Sequence, residues 1–207
     1  MEESEEAMSV QEEMMPVQAG ATPIRYTKYR FTAEEYERMG EAGVFAPDAR
    51  LELIEGEIIE MSPVGERHAA CVKRLSRTLN RQADESIIVS TQDPILLDDG
   101  SEPQPDIALL KFRDDFYRSG HPRPEDVLLV IEVSDTTLQY DRQIKLPLYA
   151  RAGIPEVLIF NLPDEQLEYH AQPTDGTYHV TRILKREEQL QSSGVPTAFF
   201  DVAAILG

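Results

Sequence analysis

One strand and the helix after it set the fold of this chain, and they begin with Val127-Leu128-Leu129-Val130-Ile131-Glu132-Val133-Ser134. The five apolar residues in a row have the length of a buried strand. Glu132 then interrupts the run, and Val133 continues it. A carboxylate in a buried strand costs free energy unless it is paired with a cation or holds a metal ion. Glu132 is therefore our first candidate for a functional side chain.

The next segment predicts a helix with a lysine on the face that turns back toward this strand. Asp141, Lys145 and Tyr149 are spaced four residues apart, and that spacing places them on one helix face. The strand thus delivers a carboxylate, and the helix can lay Lys145 beside it. A purely structural ion pair between Glu132 and either Lys145 or Arg142 is the alternative. Tyr149, one turn beyond Lys145, could contact the site and its substrate, and packing in the core is the alternative for Tyr149.

Length and composition predict a globular protein with a sizeable core. The chain has 207 residues, of which 41% are hydrophobic. We interpret residues 1–23, rich in Glu and Met, as a disordered acidic tail and residues 24–207 as a single domain. We expect a cytoplasmic protein with no membrane segment, because there is neither a secretion signal nor an apolar run of about 20 residues. The single cysteine, Cys71, excludes an internal disulfide and a cysteine-based zinc site.

The net charge of −18 bears on possible partners. Proteins that bind long DNA tightly and without specificity usually present a basic surface, so this balance argues against such binding. Basic residues do recur along the helix predicted over 66–83, at Lys73, Arg74, Arg77 and Arg81. They could contact phosphate groups, and an ordinary solvated helix face is the alternative.

The remaining patterns predict a mixture of helices and strands. A capping box at Thr32 and Glu35 starts a short helix to about Met39. Residues 50–61 predict two antiparallel strands around Glu55-Gly56, or a single strand bulged at Gly56. Further strands are predicted at 87–91, 105–110 and 156–161, a hairpin at 167–171 and 178–184, and a short helix at 199–206. This order indicates an α/β or α+β fold with a mixed sheet.

Two acids at strand ends suggest a metal site. Asp106 begins a strand after Pro105, and Glu132 lies near the end of another. If the strands are neighbours, the carboxylates converge at one sheet edge, where they repel each other unless a cation lies between them. Oxygen ligands without sulfur favour Mg²⁺ or Mn²⁺, which activates water and polarises a phosphate oxygen. Lys145 could hold that water or neutralise charge developing on phosphorus. For Asp106 alone, a role in capping the strand entry is the alternative.

Two further residues are weaker candidates. Glu55 could supply a third carboxylate, although its place beside Gly56 is equally typical of a hairpin turn. His68, near the start of its helix, could bind phosphate or support the site, since a helix N-terminus suits anions. A surface histidine is the alternative for His68.

Taken together, these residues resemble a known family. Pro105-Asp106 and Glu132-Val133-Ser134 resemble the PD-(D/E)xK nuclease signature, and the wider pattern is similar to the bacterial Uma-type restriction endonuclease family. The resemblance covers roughly residues 29–206. The matching segments are Leu51–Glu57, Met61-Ser62-Pro63, His68, Pro105–Ile107, Val130–Ser134, Asp141, Lys145, Tyr149 and Gly153–Glu156.

The resemblance implies a restriction-endonuclease-like fold, with a central mixed sheet flanked by helices, and Mg²⁺-dependent hydrolysis of DNA by metal-activated water. Asp106 and Glu132 would be the metal-binding acids and Glu55 the auxiliary acid. Where the signature has lysine this chain has Ser134, and the resemblance suggests that Lys145 takes over that role. A homodimer is expected, because nucleases of this fold often pair to cut two strands. A non-catalytic binding or regulatory module, or a metal-dependent hydrolase of a small phosphorylated molecule, are the alternatives.

Overall fold

A six-stranded mixed sheet forms the centre of the computed structural model of this chain, which describes residues 26–207. The strand order is β3-β4-β5-β6-β7-β8, and every neighbouring pair is antiparallel except β5 and β6. The strands of this sheet are β3 (Ile87–Thr91), β4 (Ile107–Lys111), β5 (Val127–Ser134), β6 (Glu156–Asn161), β7 (Gln166–Thr174) and β8 (Thr177–Leu184). This confirms the predicted α+β class with a mixed sheet flanked by helices.

The other elements surround this sheet. The helices are α1 (Ala33–Glu41), α2 (Glu66–Gln82), α3 (Leu138–Tyr140), α4 (Leu146–Arg151) and α5 (Val202–Leu206), with a π-helical segment (Asp141–Lys145) between α3 and α4 and a 3₁₀ turn at Pro124–Asp126. Two small sheets pair β1 (Leu51–Ile54) with β2 (Glu57–Glu60), and β9 (Gln189–Gln191) with β10 (Phe199–Asp201). The parallel strands β5 and β6 are thus joined by a helical crossover, as parallel pairing requires.

The capping box and the first hairpin are confirmed. The Thr32 hydroxyl accepts a hydrogen bond from the Glu35 N–H at 3.2 Å, and the Glu35 carboxylate accepts one from the Thr32 N–H at 3.0 Å. β1 and β2 pair antiparallel around Glu55 and Gly56, whose φ angles of 49° and 77° fit a tight primed turn. The chain is therefore a hairpin here, and the single bulged strand is excluded.

Alternation along β5 decides where Glu132 lies. Leu129, Ile131 and Val133 belong to a core cluster that also includes residues of α2, whereas Val130 belongs to a second cluster with residues of α4. Successive side chains of a strand point to opposite faces of the sheet. Glu132 therefore falls on the face of Val130, toward the helical crossover.

The end of the chain differs from the prediction. Phe199–Asp201 forms a strand rather than the start of a helix, and only Val202–Leu206 is helical. Phe200 is completely buried, and the Asp201 carboxylate accepts a hydrogen bond from the Ala204 N–H at 2.9 Å. Because Asp201 caps the helix, the residues before it are left free to pair with β9.

The chain divides into two units, Met1–Arg30 and Phe31–Gly207. In the first unit, residues 26–30 contain no helix or strand, and the predicted tail of residues 1–23 lies outside the described residues. The single domain over 24–207 stays a prediction. Among the described helices, none combines the length and the apolar composition needed to cross a membrane.

Candidate active site

The structure brings Asp106 and Glu132 to the same sheet edge. β4 and β5 are antiparallel with Ile107 opposite Ile131, so Asp106 lies one residue before β4 and level with Glu132. The Val133 N–H donates a hydrogen bond to Asp106 Oδ2 at 2.9 Å. Both acids are buried, at 8% and 4% exposure, and both line a cleft of about 130 Å³. The predicted convergence of the two strands is thus present.

Lys145 lies among the carboxylates, as the helical spacing predicts. Its Nζ is 2.8 Å from Glu132 Oε1 and 3.0 Å from Glu52 Oε1, and the side chain is 1% exposed. Burial by itself lowers the pKa of Lys145, but the carboxylates, Glu132 foremost, outweigh it and hold the pKa well above its usual value. The ammonium is therefore charged. Arg142, the other cation considered for Glu132, instead donates two hydrogen bonds to Glu168 at 2.6 and 3.0 Å.

Tyr149 also reaches the site. Its hydroxyl donates a hydrogen bond to Glu132 Oε1 at 2.7 Å, and the ring is completely buried. Burial, with the nearby Glu132 charge, raises the pKa of Tyr149 well above its usual value, so the hydroxyl remains a donor. Tyr149 and Lys145 thus fix the same oxygen of Glu132 from one face of the crossover helix.

Glu52 is the residue that the sequence analysis missed. It lies on β1, is fully buried, and accepts a hydrogen bond from the Gln104 N–H at 2.8 Å through the oxygen that also contacts Lys145. Its other oxygen, Oε2, is buried with no hydrogen-bond partner among the described residues. The sequence does contain a pattern that indicates Glu52: Leu51-Glu52-Leu53-Ile54 places a carboxylate inside an apolar strand, as the sequence around Glu132 does.

Glu55, predicted as the auxiliary acid, is not brought to this cluster. It occupies the left-handed turn position after β1, its side chain is 61% exposed, and its carboxylate pairs with Arg151. The third carboxylate beside Lys145 is Glu52, because the strand positions Glu52 inward while the hairpin turn carries Glu55 out of the core.

His68 and Gln92 hold Asp106. His68 Nε2 lies 2.9 Å from Asp106 Oδ2, and Gln92 donates to Asp106 Oδ1 at 3.1 Å. Burial raises the pKa of Asp106, but the contact with His68 and the Val133 N–H outweigh it and lower the pKa below its usual value. Asp106 is therefore ionised, and His68, a weaker candidate from the sequence, lies at the site.

Ser134, which replaces the signature lysine, supports another acid. The hydroxyls of Ser134 and Thr137 donate to Asp141 Oδ2 at 2.7 and 2.8 Å. Burial nevertheless raises the pKa of Asp141. The π-helical segment that begins at Asp141 ends at Lys145, so the same turn of backbone places both residues at the cleft.

The cluster has a surplus of negative charge. Burial raises the pKa of Glu132 to about 8; Lys145 opposes this, while Asp141, Asp106 and Glu52 add to it. Four buried carboxylates thus surround one buried lysine. Such a set fits a divalent cation that prefers oxygen ligands, since an added positive charge relieves the repulsion. The orphan oxygen of Glu52 points to the same deficit of positive charge.

Comparisons with known proteins bear on the family and the fold of this chain. The family model named Uma2, with the description "Putative restriction endonuclease", matches residues 33–203. A crystal structure of a "putative nuclease belonging to DUF820" from Anabaena variabilis superposes with a TM-score of 0.62 at 13% identity, covering 85% of this chain and 97% of that one. At that identity the likeness shows a shared fold. No curated protein matches the chain.

Proposed function

The chain belongs to the Uma2 family, and from that premise we propose that it is a Mg²⁺- or Mn²⁺-dependent endonuclease that hydrolyses DNA phosphodiester bonds. One observation carries the proposal: Asp106, Glu132 and Lys145 lie at one cleft with more buried negative charge than Lys145 can balance. Hard oxygen donors in that number suit these two ions better than zinc.

Each residue of the cleft has a role that follows from its contacts. Asp106 and Glu132 would hold the metal ion, which when bound makes a coordinated water easier to deprotonate and polarises a phosphate oxygen. Lys145 supplies a fixed ammonium that orients the attacking water or neutralises charge on phosphorus. Glu52 fixes Lys145 at 3.0 Å, and Tyr149 fixes Glu132 at 2.7 Å.

A groove beside the cleft supports a nucleic-acid substrate. It encloses about 420 Å³, and Lys73, Arg77 and Gln92 lie along it. Gln92 bonds to Asp106, and Val64 lines both the groove and the cleft. A phosphate backbone along α2 would therefore reach the acids. With a net charge of −18, binding would depend on these few cations and weaken steeply with salt.

Two further proposals concern the setting of the activity. The chain would act in the cytoplasm, which suits a protein with a single, buried, unpaired cysteine. It would act as a homodimer, because two copies related by a two-fold axis can cut both strands of a duplex.

The test combines metal binding with cleavage of supercoiled plasmid. Calorimetry with Mg²⁺ and Mn²⁺ compares the wild type with Asp106→Asn, and nicking compares the wild type with Lys145→Met and Lys185→Met. Lys185 is an exposed lysine between β8 and β9, so it is a matched control. We expect metal-dependent nicking that Lys145→Met abolishes and Lys185→Met leaves unchanged.

The other outcomes separate the alternatives. Metal binding and hydrolysis of a small phosphodiester such as bis-p-nitrophenyl phosphate, without nicking of plasmid, would indicate that the substrate is a small phosphorylated molecule and not DNA. The negative net charge of the chain is compatible with such a substrate. Absence of metal binding would refute the enzyme and leave a non-catalytic module of this fold. A groove variant, Lys73→Glu with Arg77→Glu, should weaken cleavage of plasmid but not metal binding.

A further inference from the structure

A second group of potential metal ligands lies outside the active site. Glu37 on α1, Glu102 before β4 and His121 in the loop between β4 and β5 place one ligand atom each within 4.8 Å of the others. His121 Nε2 is 3.9 Å from Glu102 Oε1 and 4.0 Å from Glu37 Oε1. These two separations are too long for hydrogen bonds, so His121 lies near both carboxylates without bonding to either.

Glu102 gives an independent reason to place a cation here. Its residue is 4% exposed, and its Oε2 is buried with no hydrogen-bond partner among residues 26–207. A carboxylate removed from water without a partner destabilises the folded state. Burial, together with the charge of Glu37, raises the pKa of Glu102 to about 7. A buried acid facing a second acid is stabilised by a cation between them.

We propose that Glu37, Glu102 and His121 bind a divalent transition-metal ion, for which Zn²⁺ is the best match. One imidazole and two carboxylates are ligands that zinc accepts, whereas Mg²⁺ rarely uses imidazole. Ligand atoms about 2.0–2.1 Å from one zinc ion stand about 3.3 Å apart. The two separations from His121, 3.9 and 4.0 Å, therefore need to close by less than about 1 Å. The side chains of Glu37 and His121 are 46% and 39% exposed, which leaves a path for the ion.

The ion would join three separate parts of the fold. Glu102 is also tied to β1, because its N–H donates to the Leu53 carbonyl at 2.7 Å. Two residues later, Gln104 bonds to Glu52 and approaches Lys145. Binding at Glu102 would thus anchor the segment that reaches the active-site lysine, together with α1 and the β4–β5 loop. The proposal does not depend on nuclease activity.

The test measures zinc content and thermal unfolding of the whole chain. Protein dialysed against Zn²⁺ is compared for the wild type, His121→Ala and His179→Ala, with metal content by mass spectrometry. His179 is an exposed histidine on β8 and serves as the matched control. We expect His121→Ala to lose one zinc ion per chain relative to the wild type and His179→Ala. For the wild type and His179→Ala, zinc at about 100-fold above Kd should raise Tm by about 5–10 °C over the Tm measured in chelator. Zinc should not raise the Tm of His121→Ala in this way.

Active-site variants locate the ion. Asp106→Asn and Glu132→Gln should retain the zinc that His121→Ala loses, and Glu102→Gln should lose it while unfolding in chelator at or above the wild-type temperature. Equal zinc content in the wild type and His121→Ala would overturn the proposal, as would loss confined to the Asp106 and Glu132 variants. Co²⁺ substitution gives a second readout, since the visible absorption of the bound ion should disappear in His121→Ala and Glu102→Gln and remain in Asp106→Asn, Glu132→Gln and His179→Ala.

Discussion

Glu132→Gln should stabilise the protein at alkaline pH. The substitution removes the negative charge of a buried carboxylate at the centre of the site. Glutamine has nearly the same shape as glutamate and keeps an oxygen that can accept the hydrogen bond from the Tyr149 hydroxyl. Lys145 is not left unpaired, because Glu52 remains 3.0 Å from its Nζ. With Glu132 ionised, the group of Glu52, Glu132 and Lys145 carries a net negative charge in a dry environment. The substitution removes that excess.

The size of the effect follows from the pKa of Glu132. Burial raises it to about 8 from an ordinary value of 4.5. The folded state therefore holds a proton that the unfolded state releases, so this contribution to stability is fully present below about pH 4.5 and is lost as the pH rises through about 8. At about 1.36 kcal/mol for each pKa unit, the wild type loses about 5 kcal/mol over that range, and the variant does not. The difference corresponds to about 10–20 °C in Tm.

The assay is chemical unfolding in chelator at about pH 5 and about pH 9, followed by circular dichroism. We expect similar stability at the lower pH and a more stable Glu132→Gln variant at the higher one. A loss of about 3–5 kcal/mol at the higher pH would refute this reasoning, because it would identify Glu132 as the ionised half of a structural ion pair with Lys145. If the expected result is obtained, saturating Mg²⁺ should reduce the difference in stability between the variant and the wild type at the higher pH, because the ion stabilises only the wild type.

Glu156 provides a control of opposite sign. It is equally buried, on β6, but its carboxylate accepts hydrogen bonds from the hydroxyl of Ser192 at 2.6 Å, the Gly194 N–H at 2.8 Å and the hydroxyl of Tyr169 at 3.1 Å. Glu156→Gln replaces one acceptor oxygen by an NH₂ group, which is a donor and would face other donors, so the substitution should lower stability at both pH values. Stabilisation by both substitutions would mean that burial alone, and not the surplus charge around Glu132, explains the result.

Three further predictions test the cluster and the core around it. Lys145→Met should lower the free energy of unfolding by about 3–5 kcal/mol in urea titrations, because two buried carboxylates lose their shared cation, whereas Lys185→Met should change it little. Glu52→Gln should reduce Mg²⁺ affinity or nicking about 10–100-fold, as loss of a supporting partner does, while Glu55→Gln should leave both unchanged. Leu129→Ala should cost about 2–5 kcal/mol by creating a cavity in the core, with unchanged Mg²⁺ affinity by calorimetry.

Local patterns were sufficient for most of the fold. Three predicted elements depend only on residues that are close in sequence: the strand at the apolar run 127–131, the helix at the capping box of Thr32, and the hairpin at Glu55-Gly56. The structure contains all three. The exception was Phe199–Asp201, where pairing with β9 outweighs the helical pattern. Strand pairing between distant segments leaves no local signal of this kind.

The site was predictable where one segment carries the information. Lys145 and Tyr149 share a helix face that local spacing reveals. The contact of Glu52 with Lys145 was not predictable in this way, because β1 and the crossover helix meet only in the folded chain. Glu55 was a candidate through the family resemblance, although its place beside Gly56 is typical of turns and not of metal sites. An acid within an apolar strand, as at Glu52 and Glu132, is the better guide, since burial makes it costly.

The parallel strands β5 and β6 each carry a buried glutamate, Glu132 and Glu156, and the surroundings of the two carboxylates differ. Glu156 is surrounded by hydrogen-bond donors, so the fold alone accounts for it. Glu132 shares one lysine with Glu52 and lies near further acids at an open cleft. Replacing such a buried charge cluster by apolar residues often stabilises a protein by about 1–4 kcal/mol. The fold alone therefore does not account for this cluster, and the proposed cation at the cleft would balance its surplus charge.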